Sequence, residues 1–314
     1  MKGAIIPAGL SWLGRQGTRA IAAIVLVGIC FPWVGEYLKS YVAEAIFLLL
    51  CIAFMRVDMT AARACLRRPG LVFAATAWMS LAVPVILGAI CLVSGVDSIA
   101  PALFVAIMLQ AVASPIMAAP SLAVLMGLDA TLVLITLVCS TAIVPLTAPL
   151  FAELFVGAAL SISPLLLAGK LGIILVGAAC AGFVLRCYFG VHAIEKHKEK
   201  IDGLNLIILF IFVAAIMENV AVRLLSDPVM VIGFTLLSFV IFFAVLLLTT
   251  FVFLPFGRKQ ALSIGFTASQ RNMGLMLAAA GGEMSEVTWL YFALAQFPIF
   301  LAPCMLQTLV QKNI

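Results

Sequence analysis

One charged side chain inside an apolar stretch is the strongest chemical signal in the sequence. Arg271 lies in the segment 263–274, among hydrophobic runs on both sides. The polar residues around it are Thr267, Ser269, Gln270 and Asn272. In lipid an arginine costs about 2.5–3.5 kcal/mol on insertion scales, so it needs a partner or a function. Its planar guanidinium matches a carboxylate, which predicts that these residues bind an organic anion.

A second signal is a pair of prolines inside another apolar run. Pro115 and Pro120 lie five residues apart, with Ser114 and Ser121 beside them. Each proline removes a backbone donor and clashes with the preceding turn of a helix. Because the freed carbonyls find partners in a membrane only in protein or at a polar cavity, this stretch predicts an interrupted helix at a binding site. Ser114, Pro120 and Ser121 are therefore predicted to contact the cargo.

The composition places both stretches in a membrane. Of the 314 residues, 65% are hydrophobic and 10% are charged, whereas a soluble domain has about 25% charged residues. The apolar runs are long and do not alternate, which predicts an all-α membrane protein with the lipid bilayer as its solvent. The net charge of +5 does not indicate nucleic acid, because the basic residues sit in short loops. The eight cysteines are scattered without a CxxC pair and are interpreted as packing residues.

Ten apolar segments are each close to the roughly 20 residues that a helix needs to cross a bilayer. They are 19–37, 41–56, 70–95, 99–127, 130–154, 164–189, 203–222, 228–254, 260–281 and 287–309. The prolines fall in segment four and Arg271 falls in segment nine, which are equivalent positions in two five-helix halves, 1–160 and 161–314. An odd number of spans inverts the second half, and paired irregular segments in inverted halves indicate a transporter's binding site. The alternative is a proline kink and a polar patch that only pack helices together.

The basic residues predict the orientation. With both termini on the cytoplasmic side of the cell membrane, the inside segments hold 14 of the 18 lysines and arginines. This is the bias expected of cytoplasmic loops. Glu218 is the one deep acid, and an Arg271–Glu218 ion pair that stabilises the bundle is a second interpretation of the arginine.

Two stretches resemble the bile acid:sodium symporter family. They are Gly127–Asp129 through Pro145–Pro149, and Ala261–Gly274 with its core Gln270-Arg271-Asn272. The resemblance implies a ten-helix inverted-repeat fold in which helices 4 and 9 are discontinuous and cross at the midplane. It also implies a core domain of helices 3–5 and 8–10, and a panel domain of helices 1–2 and 6–7 that moves against it.

The sequence departs from this family where sodium would bind. Thr267 stands at the position of the family's glutamate and Arg271 at that of its glutamine, while Asn272 keeps the asparagine. The family's Ser-Asn pair on helix four corresponds to the neighbourhood of Pro120 and Ser121. Loss of a carboxylate and gain of a fixed positive charge repel a cation. We therefore predict a secondary transporter of a small organic anion that works by alternating access, with the guanidinium in place of sodium.

Three alternatives stay open at this level. A sodium-coupled organic anion or bile-acid-like symporter would use a degraded ion site on helix five. Its candidate ligands are the hydroxyls of Thr131, Thr136, Ser140 and Thr141, which otherwise bond to the carbonyl one turn back. An arsenite or auxin carrier shares the architecture, but the cysteine of arsenite carriers is missing at the crossing, where the nearest is Cys139. The third alternative is a receptor or a structural protein with this fold.

An enzyme is not expected. The sequence contains no HExxH and no Gly-x-Ser-x-Gly motif, and Glu218 has no second deep carboxylate for acid–base work. No cofactor is predicted, and the coupling ion stays open between sodium, a proton and none.

Overall fold

The computed structural model describes residues 5–15, 28, 32–57, 69–157, 162–280 and 284–313, and nearly all of them are helical. Within these ranges, extended pairing is confined to a single isolated β-bridge between Pro115 and Arg271. The first half contains α1 (Ile5–Arg15), α2 (Pro32–Leu38), α3 (Val42–Met55), α4 (Pro69–Ala77), α5 (Val83–Val93), α6 (Val96–Ile99), α7 (Pro101–Val112), α8 (Ala119–Met126) and α9 (Ala130–Phe151). The second contains α10 (Pro164–Phe189), α11 (Val191–Lys196), α12 (Lys198–Ile216), α13 (Glu218–Ser226), α14 (Pro228–Phe253), α15 (Arg258–Ser269), α16 (Met273–Ala280), α17 (Glu286–Leu294) and α18 (Gln296–Asn313).

Short helical turns of other types extend several of these elements. A 3₁₀ turn, Lys39–Tyr41, joins α2 to α3, and another, Leu254–Phe256, follows α14. A π-helical turn, Trp78–Ala82, joins α4 to α5, and a second, Ala152–Val156, follows α9. The wider π turn changes which carbonyls are free to accept bonds from elsewhere.

Seven helices of the described chain are long and apolar enough to cross a membrane. They run over Trp33–Met55, Pro69–Val93, Ala130–Val156, Pro164–Phe189, Lys198–Ser226, Pro228–Phe256 and Glu286–Gln307. The chain is therefore an α-helical, multi-pass membrane protein, and the predicted class is confirmed. The ten-span count and the inverted repeat stay predictions.

The predicted boundary between segments one and two is wrong. A loop was expected near residues 37–41, but the helix runs from Pro32 through the 3₁₀ turn to Met55. Most of segment one, 19–37, lies outside the described residues.

The chain divides into two compact units. The first unit contains residues 1–57 and 174–232. In it, α12 packs against α1, α2 and α3. The packing is close: a Cβ built on Gly203 would lie 2.0 Å from the carbonyl oxygen of Leu10, and one on Gly182 would lie 2.6 Å from that of Cys51. Small residues let membrane helices approach in this way.

The second unit contains residues 58–173 and 233–314, and it holds both interrupted segments. Helix α8 ends at Gly127, whose φ of +76° favours glycine, and the Asp129 side chain then accepts from the Leu132 N–H to cap α9. A buried cluster around Phe266 and Leu137 packs α8, α9 and α15 together. This core fixes the two interrupted segments relative to each other.

Gly265 lies where α15 packs closely on α14, and we expect an alanine there to destabilise the fold. Its Cβ would lie 2.2 Å from Thr250 Oγ1 and 2.7 Å from the Leu246 carbonyl oxygen, which is backbone and cannot move aside. Gly265→Ala should lower the stability by about 1–3 kcal/mol, the usual range for overpacking. Thermal unfolding of the detergent-purified protein measures this.

Gly233→Ala is the matched control, because a Cβ on Gly233 meets no atom within 4 Å. Equal unfolding temperatures for the two variants would contradict the close packing of α14 on α15.

Candidate functional site

The break in segment four follows from its prolines. Helix α7 ends at Val112, and Ala113 is already extended, with φ −62° and ψ 145°. Ser114 precedes Pro115, and a residue before proline disfavours the helical conformation. Helix α8 starts at Ala119 with Pro120 in its first turn, where the missing N–H costs nothing. The two prolines thus end one helix and begin the next.

Segment nine breaks without a proline or glycine. Helix α15 ends at Ser269, Gln270 has φ −84° and ψ 88°, and α16 begins at Met273. The Asn272 side-chain oxygen accepts from the Leu275 N–H at 3.2 Å. This is the bond of an N-cap, so Asn272 helps to start α16.

The two breaks bond to each other. The Ile116 N–H donates to the Gln270 carbonyl at 2.9 Å, and the Asn272 N–H donates to the Ser114 carbonyl at 2.7 Å. Both bonds flank the antiparallel bridge between Pro115 and Arg271. Since the bridged pair itself exchanges no bond, Pro115 can occupy this position although it has no N–H. Peptide groups freed by one interruption are satisfied by the other.

The Arg271 side chain is buried at this junction, with 4% of its surface exposed. One terminal nitrogen, Nη1, donates to the carbonyls of Ala113 at 2.8 Å and Met79 at 3.3 Å. The other, Nη2, donates to the Met79 carbonyl at 3.4 Å. Ala113 follows the C-terminal end of α7, where a positive charge is favourable. Met79 belongs to the π-helical turn Trp78–Ala82.

Carbonyl oxygens satisfy hydrogen bonds of Arg271 but do not neutralise its charge. Among the described residues it is the one buried side chain with a full charge. Glu218, its predicted partner, forms an ion pair with Lys39 at 3.0 Å in the other unit. Since Arg271 and Glu218 belong to different units, the Arg271–Glu218 pair stays a prediction. Within the described residues of the second unit, no carboxylate forms an ion pair with Arg271 beside the bridge.

Several of the predicted site hydroxyls bond to their own helices. Thr267 donates to the Ser263 carbonyl at 2.7 Å, Ser269 to the Phe266 carbonyl at 2.9 Å, and Thr136 to the Leu132 carbonyl at 2.8 Å. For Thr136 this is the alternative that the sequence left open for the hydroxyls of helix five. Their protons are used, so only lone pairs are left for a ligand.

Other predicted site residues differ in burial. Ser114, Ser140, Thr141 and Gln270 are buried, and their side-chain oxygens have no hydrogen-bond partner within the described chain. Thr131 and Pro120 are half-buried, while Ser121 is exposed on α8. The structure thus brings Ser114, Gln270, Arg271 and Asn272 together at the bridge. It does not place Ser121 in the protein interior.

A small cavity of about 10 Å³, room for about one water molecule, lies beside Arg271 in the second unit. Its lining consists of Leu87, Gln110, Ala111, Ile241, Phe242, Val245, Ala268, Ser269 and Arg271. The sequence reasoning missed Gln110, one helical turn before Ser114. The sequence feature that could have identified Gln110 is that it is the single amide in the otherwise apolar run 102–113. The cavity is apolar except for Gln110, Ser269 and Arg271.

The chain was compared with protein-family models and with curated proteins, and neither comparison found a match. The resemblance to the bile acid:sodium symporter family therefore stays a prediction. What the fold and the site define is the class: a multi-pass helical membrane protein with two interrupted helices joined at a buried arginine.

The geometry of the bridge predicts that substitutions at two neighbouring positions change the stability by very different amounts. Ile116→Pro removes the donor of the bond to the Gln270 carbonyl and should cost about 3 kcal/mol or more, as for a proline that breaks a backbone bond. Pro115→Ala removes no bond and should change the stability by about 1 kcal/mol or less. Thermal unfolding of both variants in detergent tests this, and equal losses would show that the bridge does not hold the junction.

Proposed function

We propose that this protein is a secondary transporter that carries a small organic anion across the cell membrane by alternating access. The observation that carries the proposal is the guanidinium of Arg271, buried where two interrupted helices meet and without a carboxylate partner among the described residues of its unit. A buried charge is costly unless it has a partner or a function. An anionic cargo supplies the missing counter-charge.

The helix ends at the junction favour the same sign of ligand. Helices α8 and α16 both begin at the breaks, at Ala119 and Met273. The N-terminus of a helix has a partial positive charge, and in transporters such half-helix ends face anionic groups of the substrate. Arg271 donates to the Ala113 carbonyl at the C-terminal, negative end of α7. The N-terminal, positive ends of α8 and α16 are therefore available to an anionic cargo.

The proposed architecture has ten spans in two inverted halves, as in the bile acid:sodium symporter family. Seven long helices and the two interrupted segments, α7–α8 and α15–α16, support nine of the ten. The two compact units also support it, since the parts of the chain in the first unit, 1–57 and 174–232, correspond closely to the proposed panel domain. Alternating access requires two such bodies.

The proposed orientation, with both termini in the cytoplasm, is supported by basic side chains at one end of the first unit. Arg56 forms an ion pair with Asp202 at 2.6 Å, and Arg186 donates to the Met55 carbonyl at 3.2 Å. These residues belong to three different predicted inner loops or span ends, and their contacts bring them together. Clustered arginines at the inner ends of spans are typical of cytoplasmic faces.

We further assign Arg271 the role of a tethered cation that replaces a coupling ion. Its guanidinium binds two backbone carbonyls, which are the kind of oxygen that coordinates sodium in interrupted helices. Thr267 supplies no carboxylate, and its hydroxyl donates to the backbone carbonyl of Ser263. Transport should then not depend on sodium.

A sodium-coupled symporter is the second candidate, and one observation favours it. The hydroxyl oxygens of Ser140 and Thr141 on α9 are buried without a hydrogen-bond partner in the described part of the chain. Buried polar atoms of this kind need an explanation, and a bound cation is one. The same uptake measurement separates the two candidates.

Ligand uptake by proteoliposomes that contain the protein tests both candidates, the sodium-independent transporter and the sodium-coupled symporter. A ligand is first found by thermal stabilisation of purified protein against a panel of carboxylates and sulfonates, since ligands of the folded state raise its apparent stability. Uptake of that ligand should be equal in sodium and choline buffers. Arg271→Met should reduce it at least about tenfold, because a charge-assisted contact contributes about 1.5–3 kcal/mol.

Arg258→Gln is the control, because Arg258 is an exposed arginine at the start of α15, the helix that leads to the break. Uptake that requires sodium would overturn the tethered-cation role, and uptake that survives Arg271→Met would remove Arg271 from the cargo site.

A further inference from the structure

The carbonyl oxygen of Met79 lies at the fork of the Arg271 guanidinium. Both terminal nitrogens donate to this one oxygen, Nη1 at 3.3 Å and Nη2 at 3.4 Å. The same end of a guanidinium can take the two oxygens of a carboxylate, with one oxygen on each nitrogen. A backbone carbonyl therefore occupies a position that the carboxylate of a ligand would take.

The two carbonyls that accept from Arg271 hold it with different strength. The Nη1 atom lies 2.8 Å from the Ala113 carbonyl oxygen, a short hydrogen bond. Both distances to the Met79 carbonyl oxygen exceed 3.2 Å and are long for an N–H···O bond. Ala113 thus anchors the guanidinium, and the Met79 carbonyl is the acceptor that an anion displaces more easily.

The π-helical turn Trp78–Ala82 takes away the usual backbone donor of the Met79 carbonyl. In an α-helix the N–H of Val83, four residues further on, would donate to this carbonyl. In the turn, the Val83 N–H donates instead to the carbonyl of Trp78. The next residue, Pro84, has no N–H with which to reach the Met79 carbonyl in the π register. The turn and the proline together leave this carbonyl to Arg271.

The side chain of Trp78 ties the turn to α14. Its Nε1 donates to the Thr249 hydroxyl oxygen at 2.9 Å, and its ring packs edge-on against Phe253 with the centroids 6.2 Å apart. The turn, α14 and Arg271 all belong to the second unit. A change in the hydrogen bonding of the turn therefore changes the surroundings of an indole, which fluorescence can detect.

We infer that the Met79 carbonyl is a placeholder for the carboxylate of the cargo, and that the π-helical turn is the element that withdraws it. A carboxylate that reaches Arg271 displaces this carbonyl. The carbonyl then accepts from the Val83 N–H as the turn takes the α register. This inference rests on the proposed function and adds a conformational step to it. The cavity beside Arg271 has room for about one water, so a carboxylate can bind only after such a movement.

A full-length protein with Trp78 as its single tryptophan tests the switch. The other three, Trp12, Trp33 and Trp289, are replaced by phenylalanine. Without any ligand, Arg271→Met removes both donors to the Met79 carbonyl, so the turn should take the α register and the emission maximum of Trp78 should shift. Saturating acetate, benzoate or succinate should shift it in the same direction when Arg271 is present. A maximum that Arg271→Met leaves unchanged overturns the inference, even where none of these anions binds.

Pro84→Ala tests the placeholder without removing the arginine. The new N–H can donate to the Met79 carbonyl in the π register, and it also permits an uninterrupted α-helix in which Val83 donates. In either form the carbonyl is less available to Arg271. Binding of the same three anions, measured by calorimetry at matched ionic strength, should become about two- to tenfold tighter, the range of one hydrogen bond. An affinity that stays unchanged or falls overturns the inference.

Pro145→Ala is the matched control. Pro145 also lies inside a spanning helix of the second unit, α9, so the substitution likewise adds one N–H to a helix. The Arg271 side chain donates to Met79 and Ala113 and not to a carbonyl of α9. The affinity for the anions should therefore not change. An equal gain in affinity from both proline variants would overturn the placeholder, because it would reflect a general effect of proline removal.

The outcomes separate this inference from the proposed function. Anion binding that shifts the Trp78 emission and is tightened by Pro84→Ala, without uptake of any carboxylate into proteoliposomes, supports the placeholder and removes the transport proposal. Carboxylate uptake that requires Arg271, combined with a Trp78 emission that neither ligand nor Arg271→Met alters, overturns the placeholder and leaves the transporter standing.

Discussion

The pairing of two helix breaks is the constraint on which the rest of the second unit depends. Prolines force an interruption in one segment, and the carbonyls and N–H groups released there are matched by those of another segment far away in the chain. Away from water such groups have few other partners. The bridge therefore determines which helix ends meet, and it places Arg271 where a carbonyl of each of two neighbouring elements can accept from it.

The charge of that arginine is accommodated in two separate ways. Backbone carbonyls remove part of the cost of burying its N–H groups, and the C-terminal end of α7 provides a favourable potential. Neither provides a counter-ion. A satisfied hydrogen bond and a neutralised charge are therefore different things at this site.

Much of this site could be predicted from the sequence, because its local causes are visible there. Pro115 and Pro120 predict a break with no further information, and long apolar runs predict the spans. The exact end of α15 could not be predicted in the same way, since residues 270–272 contain neither proline nor glycine and leave the helix where their backbone bonds to the break at Ser114–Ile116. Gln110 was missed for a related reason. Its importance depends on Tyr291 and Arg271, which are more than 150 residues away and reach it only in the folded protein.

The π-helical turn at Trp78–Ala82 has a further consequence for the helix that contains it. A π turn holds about one residue more than an α turn, so the side chains after it are rotated by about 100° relative to those before it. The same helix can thus direct the Met79 carbonyl to Arg271 and, further along, direct Leu87 into the cavity wall. Loss of a single residue within the turn would rotate the cavity-lining face of α5 towards other neighbours. The length of this short stretch is therefore as strongly constrained as the identity of any residue in it.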